Sequence, residues 1–158
     1  MKNQFEVNSL AVLFNNIQLK EIMKLPPIVA KIDDPFHIVA EKLQYHQIKH
    51  LPVVDEDGCL KGLMTLRDLY RLQSPRKLMD GSLFYNQEDL DRFILSHVMI
   101  KDPFAFQAHN SIGEAIIKMS EGNYGCVPIV DENHVMIGIV TQSDIIKIIS
   151  KTLQSNKL

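Results

Sequence analysis

Apolar positions along this chain fall into a pattern that occurs twice. Leu51-Pro-Val-Val-Asp and Val127-Pro-Ile-Val-Asp are near-continuous apolar runs, each ended by a turn signal, Glu56-Asp-Gly58 in one case and Glu132-Asn-His134 in the other. A second apolar run follows each turn, Leu60 to Met64 and Met136 to Val140, so each stretch predicts a β-hairpin. Thr65 and Thr141 then open segments with helical apolar spacing, Asp68 to Leu72 and Asp144 to Leu153. Ahead of each hairpin lie a short apolar stretch (Ile28 to Ala30; Phe104 to Phe106) and a helix start. The first start is Asp34 as N-cap with Pro35 at the first helical position; the second is Ser111 with Glu114 three residues on, a capping-box spacing. The order per copy is strand, helix, strand, strand, helix.

The two copies align without a gap. A shift of 76 positions places Ile22–Leu72 on Val98–Ile148, and ten of the 51 columns are identical, among them Met23/Met99, Lys42/Lys118, Gly62/Gly138, Thr65/Thr141 and Asp68/Asp144. This divides the chain into a leading helix (1–21), repeat 1 (22–72), a linker with its own helix (73–97), repeat 2 (98–153) and a tail (154–158). Asn86 caps the predicted linker helix, and its counterpart 76 residues earlier is Leu10–Glu21. The fold class is α+β.

Composition narrows the function. With 158 residues, 46% hydrophobic, the chain can bury a core, and its net charge of −2 lacks the basic footprint of a nucleic-acid binder. The longest apolar stretch near the N-terminus, Leu10–Phe14, is too short to span a membrane, so a cytoplasmic protein is expected. Cys59 and Cys126 make neither a disulfide framework nor a Cys-x-x-Cys metal site. His46 and His50 stand four apart, as two helical metal ligands would, but spacing fixes no third ligand and His50 precedes a strand; His37, His97, His109 and His134 fall in solvated or turn positions. No nucleophile elbow, Walker loop or Cys/His pairing of fixed spacing occurs, and the expectation is a non-enzyme with no metal site.

The repeated chemistry is Gly62-Leu-Met-Thr65-Leu-Arg67-Asp68 and Gly138-Ile-Val-Thr141-Gln-Ser143-Asp144, each where a strand turns into a helix. A helix start offers unpaired N–H groups and a positive dipole end to a phosphate, and a threonine hydroxyl adds a donor. An ionised aspartate accepts only, so its two oxygens suit the two hydroxyls of a ribose. Phosphate plus ribose means a nucleotide. The plainer alternative is that Thr-x-x-Asp is a capping box with Asp in place of Glu, and that the glycine allows close backbone packing or a bulge.

These tandem motifs, from Leu-Pro-Val-Val-Asp-Glu to Thr-Leu-Arg-Asp and from Val-Pro-Ile-Val-Asp-Glu to Thr-Gln-Ser-Asp, resemble a pair of CBS domains, the Bateman module, over Ile22 to about Ile149. The resemblance implies two pseudo-two-fold related β-α-β-β-α repeats forming one CBS-pair disc, with clefts for AMP, ADP, ATP or a related adenosyl ligand, no required cofactor, and assembly as a homodimer. In one cleft it assigns phosphate and ribose to Thr141, Ser143 and Asp144 and the adenine to Ile28 and Ile48. In the other it assigns Thr65, Arg67 and Asp68, with Phe104 and Tyr124 near the base. Lys49, His50 and Arg67 ring the Asp68 cleft with potential cations where the Asp144 columns carry Gly125, Cys126 and Ser143, so the more anionic ligand is expected at Asp68. Ile145, Ile146, Ile148 and Ile149 crowd the last helix with apolar surface suited to a second copy. The function implied is a stand-alone regulatory, energy-sensing module signalling to an unknown protein partner. The competing reading is a ligand-free dimerisation or protein-interaction module using the faces of Asp144–Leu153 and Phe14–Leu19.

Overall fold

The computed structural model describes residues 11–74, 76–84, 90 and 94–155. It contains two compact units, 28–103 in one stretch and 1–27 together with 104–158 in the other. The units therefore do not coincide with the two sequence copies: each takes in the leading segment of the opposite one.

In the 28–103 unit the sheet order is β1-β2-β3-β6, from β1 (Ala30–Lys31), β2 (His50–Val54), β3 (Leu60–Thr65) and β6 (Ile100–Lys101). β1 runs parallel to β2, and β2 and β3 form the expected antiparallel hairpin, His50 facing Thr65. Its turn closes on Gly58, whose φ of 83° is open to glycine at no steric cost. Helices α2 (Phe36–Tyr45) and α3 (Leu66–Gln73) cover the sheet, burying Val39, Leu43, Val53, Met64 and Leu69 in one core. The four-residue helix α4 (Leu95–Val98) adds Leu95 and leads into β6. A two-stranded ribbon, β4 (Arg76–Lys77) and β5 (Leu83–Phe84), lies in the linker between the repeats.

The other unit repeats the plan with β7 (Phe106–Gln107), β8 (Cys126–Val130), β9 (Met136–Thr141), α5 (Ile112–Gly122) and α6 (Gln142–Ser155). Leu19, Ile112, Met119, Ile129, Val140 and Ile145 form its core. His134 takes the Gly58 position in the second hairpin turn and adopts the same left-handed backbone, φ 64°. The edge held by β6 in the first unit is held here by a single bridge, Lys24 to Ile139, 76 residues from the Ile100–Leu63 pair.

The exchanged segments explain the repeated glycines. A Cβ on Gly62 would collide with the Met99 side chain and approach the Ile100 carbonyl at 2.9 Å; one on Gly138 would meet Met23 Sδ at 2.7 Å. The repeated methionine of each leading segment lies across the repeated glycine of the opposite copy, which is the close-packing alternative in physical form.

Three expectations need correction. Helix α2 starts one residue later than expected, with Pro35 as its N-cap; the Asp34 carboxylate instead accepts from Lys31 N at 2.9 Å and pairs with Lys42 Nζ at 2.6 Å. The short strands fall two residues beyond their predicted starts, at β1 and β7. The expected Leu10–Glu21 helix is broken: α1 covers residues 11–16, Gln18 is extended and bridges Ser111, and Leu19–Glu21 form a separate 3-10 turn. The predicted linker-helix cap, Asn86, lies outside the described residues, as does most of that segment. The Ser111–Glu114 capping box forms as expected, with Ser111 Oγ accepting from Glu114 N at 3.2 Å.

Candidate functional site

Both Thr-x-x-Asp motifs sit where the central hairpin hands over to a helix. Thr65 ends β3 in extended conformation (φ −111°, ψ 155°) and caps α3, its Oγ1 accepting from Asp68 N at 3.2 Å and donating to Asp68 Oδ2 at 2.5 Å. At the second junction Thr141 donates twice to Asp144 Oδ2, from its N at 2.9 Å and its Oγ1 at 2.6 Å. One half of the capping-box geometry is thus present at each, Asp68 N donating to Thr65 Oγ1 at the first and Thr141 N donating to Asp144 Oδ2 at the second. It leaves the carboxylates at the start of a helix, where a nearby anion and donated hydrogen bonds are both favoured.

The surroundings differ. Asp68 is a quarter exposed, and among the described residues its Oδ1 has only Arg71 Nη1 at 3.9 Å, beyond hydrogen-bonding distance. Asp144 is 8% exposed and its Oδ1 pairs with Lys24 Nζ at 3.0 Å. Burial alone pushes the Asp144 pKa up, but the hydrogen bonds from Thr141 and Lys24 outweigh it and hold the carboxyl below its ordinary value. Lys24 is more than half exposed, so the pair stabilises by at most about 1 kcal/mol. Lys24 was absent from the sequence-derived site. Its signal was the self-alignment column Lys24/Ile100, but only the exchange of leading segments, fixed by Lys24 N donating to Ile139 O at 3.0 Å, carries it to Asp144.

The remaining candidates divide between the units. In the 28–103 unit, His50 is paired with Thr65 in the hairpin, and the Lys49 carbonyl accepts from Leu66 N at 3.0 Å, so Lys49, His50, Thr65, Arg67 and Asp68 gather at one sheet end. Lys49 and Arg67 are exposed. Burial first, then the Lys49 charge, lowers the His50 pKa below its ordinary 6.5, so at neutral pH it is uncharged; this corrects its counting as a cation. Ile28 and Ile48 are partly buried against the same unit's core. His46 ends α2 while His50 lies in β2, so the pair does not share a helix.

In the other unit the matching connections are Cys126 opposite Thr141 and the Gly125 carbonyl accepting from Gln142 N at 3.1 Å. Ser143 is exposed. Tyr124 is 41% exposed, its carbonyl accepting from Gln142 Nε2, and its ring lies where any side chain at Gly122 would stand. Phe104, also 41% exposed, meets Phe106 edge-on at 4.8 Å and has Lys118 Nζ 4.5 Å over its ring. Cys126 is buried, which pushes its thiol up to about 12 and leaves it protonated. Of the four isoleucines crowding α6, Ile145 is buried, Ile148 and Ile149 pack on the core, and Ile146 is 63% exposed. Phe14, Ile17 and Leu19 belong to this unit's own core, which removes the Phe14–Leu19 face from the surfaces offered to a partner.

A duplicated β-α-β-β-α plan with a Thr-x-x-Asp junction in each copy defines a tandem-repeat α+β module. The CBS domain family model matches residues 19–74 and 95–151, and the chain belongs to that family. It is 30% identical over 138 residues to a CBS domain-containing protein of Dictyostelium discoideum, covering 87% of this chain and 94% of the relative. It is 31% identical over 127 residues to L-aspartate semialdehyde sulfurtransferase of Methanocaldococcus jannaschii, covering 80% of this chain but 22% of that enzyme. Among solved structures it resembles a CBS domain pair crystallised with 5′-methylthioadenosine and S-adenosyl-L-methionine: TM-score 0.70, 27% identity, 85% of this chain and 97% of that one. Among the described residues no helix is long and apolar enough to cross a membrane.

Proposed function

We propose that this protein is a regulatory module that binds an adenine nucleotide or related adenosyl ligand at its Thr-x-x-Asp junctions and conveys occupancy to a protein partner. The observation that carries the reading is the carboxylate of Asp68, held by Thr65 at a helix start with one oxygen that no hydrogen bond from the described residues occupies, leaving it open to a ribose hydroxyl. The likeness to a CBS pair crystallised with two adenosyl compounds supports the ligand class. Thr65 and Arg67 would face phosphate beside Asp68, and Thr141 and Ser143 beside Asp144. The assignment of Ile28 and Ile48, and of Phe104 and Tyr124, to the bases belongs to the same proposal, as does the contribution of Lys49 to a more anionic ligand.

A calorimetric titration with AMP, ADP, ATP and S-adenosylmethionine tests it. Ligand at 100 times its dissociation constant stabilises the native state by about 2.7 kcal/mol, a melting shift of several degrees. No binding of any of the four at millimolar concentration overturns the reading in favour of a ligand-free interaction module.

The same proposal includes a homodimer through α6, where Ile146 and Leu153, both 63% exposed, line an apolar groove with Ile149. Sedimentation at tens of micromolar should show the dimer, and monomer alone with and without nucleotide overturns it.

A further inference from the structure

The two junctions differ in how much of each carboxylate is left for a ligand. A carboxylate offers about four acceptor positions, two per oxygen. At Asp144 three are taken, by Thr141 N, Thr141 Oγ1 and Lys24 Nζ, whereas at Asp68 Thr65 Oγ1 takes one and Arg71 stands at 3.9 Å. A diol needs two. Docking at Asp144 therefore requires Lys24 to release Oδ1, and the released ammonium then lies beside the ligand on a long, flexible, half-exposed stem.

An uncharged nucleoside gives that ammonium nothing in return. A ligand with an anionic group does, because phosphate or carboxylate is a better partner for a lysine than water is. We propose that Lys24 is the specificity-determining residue of the Asp144 junction, acting as an internal competitor for the ribose site that selects ligands bearing an anionic group and disfavours neutral nucleosides. This rests on the reading that the Thr-x-x-Asp junctions bind adenosyl ligands. At the corresponding column Ile100 is apolar, so the Asp68 junction lacks this device.

The test compares AMP with adenosine by calorimetry in the full chain. Asp68→Asn weakens the other junction, and Lys24→Met is added to it, with Lys24→Gln as a second variant, so that the change on removing Lys24 is read against one background. With Lys24 present AMP should bind at least about tenfold tighter than adenosine. Without it, adenosine should tighten and AMP weaken, so that the ratio falls to within about threefold, one such factor being a fraction of the tenfold step. In the converse design, Ile100→Lys with Asp144→Asn should lower adenosine affinity at Asp68 more than AMP affinity. An AMP-to-adenosine ratio that is unchanged on removing Lys24, with AMP still bound, overturns the role of Lys24 alone. Absence of AMP binding in every variant and in the parent overturns both this inference and the nucleotide reading.

Discussion

The Thr65–Asp68 and Thr141–Asp144 junctions share a backbone and differ in electrostatics. Both follow the second strand of a hairpin, both start a helix, and in both the threonine hydroxyl donates to the aspartate three residues on. Yet Asp68 is a quarter exposed, takes a hydrogen bond from Thr65 Oγ1 and has Arg71 at 3.9 Å, while Asp144 is nearly buried and held by a lysine from a segment more than 100 residues earlier. Duplication preserved the residues that shape the turn. The charges around it diverged because they come from columns that backbone geometry does not constrain, Arg67/Ser143, Lys49/Gly125 and Ile100/Lys24 among them. On the proposed reading, two junctions of one plan would therefore differ in the ligand charge they favour.

The largest expected difference between the halves is structural. Gly62→Ala drives a Cβ into the Met99 side chain and toward the Ile100 backbone carbonyl, which cannot rotate away, so a destabilisation of about 2–3 kcal/mol is expected. Gly138→Ala meets only the flexible Met23 side chain among its nearest atoms and should cost about 1 kcal/mol. Chemical denaturation of both variants checks the order; equal losses would show that the two leading segments pack alike.

Next in size is the response to phosphate charge. Arg67→Ala should weaken ATP by about 1.5 kcal/mol, roughly tenfold, and AMP by much less, because it removes a phosphate cation and leaves the ribose carboxylate. Ser143→Ala at the matching column should not separate the two ligands. Competitive titration of ATP against AMP reads this directly, and equal weakening of both would remove Arg67 from the phosphate site.

The smallest effect is on pH dependence. His50 has a lowered pKa in the folded state, so the stability it contributes is fully present above the unfolded value near 6.5 and is lost as pH falls from there through the lowered folded value. Its counterpart Cys126 does not titrate in that range. His50→Gln should flatten the decline between neutral and mildly acidic pH, measured by thermal melts at several pH values. An unaltered profile would place the decline elsewhere.

How much of this was legible in the sequence depends on whether a feature was local. Both hairpins, the Ser111–Glu114 box and the Thr65 cap rest on residues within a few positions of one another, and they formed where the pattern placed them. The α2 start was misplaced by one residue because Asp34 found a better partner in Lys42, eight residues on, than in the helix N–H groups. The exchange of leading segments was not legible: aligning the chain with itself shows which residues are equivalent, not which copy's sheet an edge segment joins. Lys24 was missed for that reason, and His50 was miscounted because its charge state depends on burial.

The central claim, that the Thr-x-x-Asp carboxylates hold a ligand rather than merely cap helices and that Asp68 is the more available, is tested most directly by titrating AMP calorimetrically into the parent, Asp68→Asn and Asp144→Asn proteins. Asparagine keeps a capping group but loses the charge and one acceptor oxygen, so unliganded stability should change by less than about 1 kcal/mol. The account predicts that Asp68→Asn weakens the tighter binding event by about ten- to a hundredfold, and that Asp144→Asn spares it while weakening the other. If both variants melt earlier and bind AMP as the parent does, the carboxylates are caps and the account is wrong.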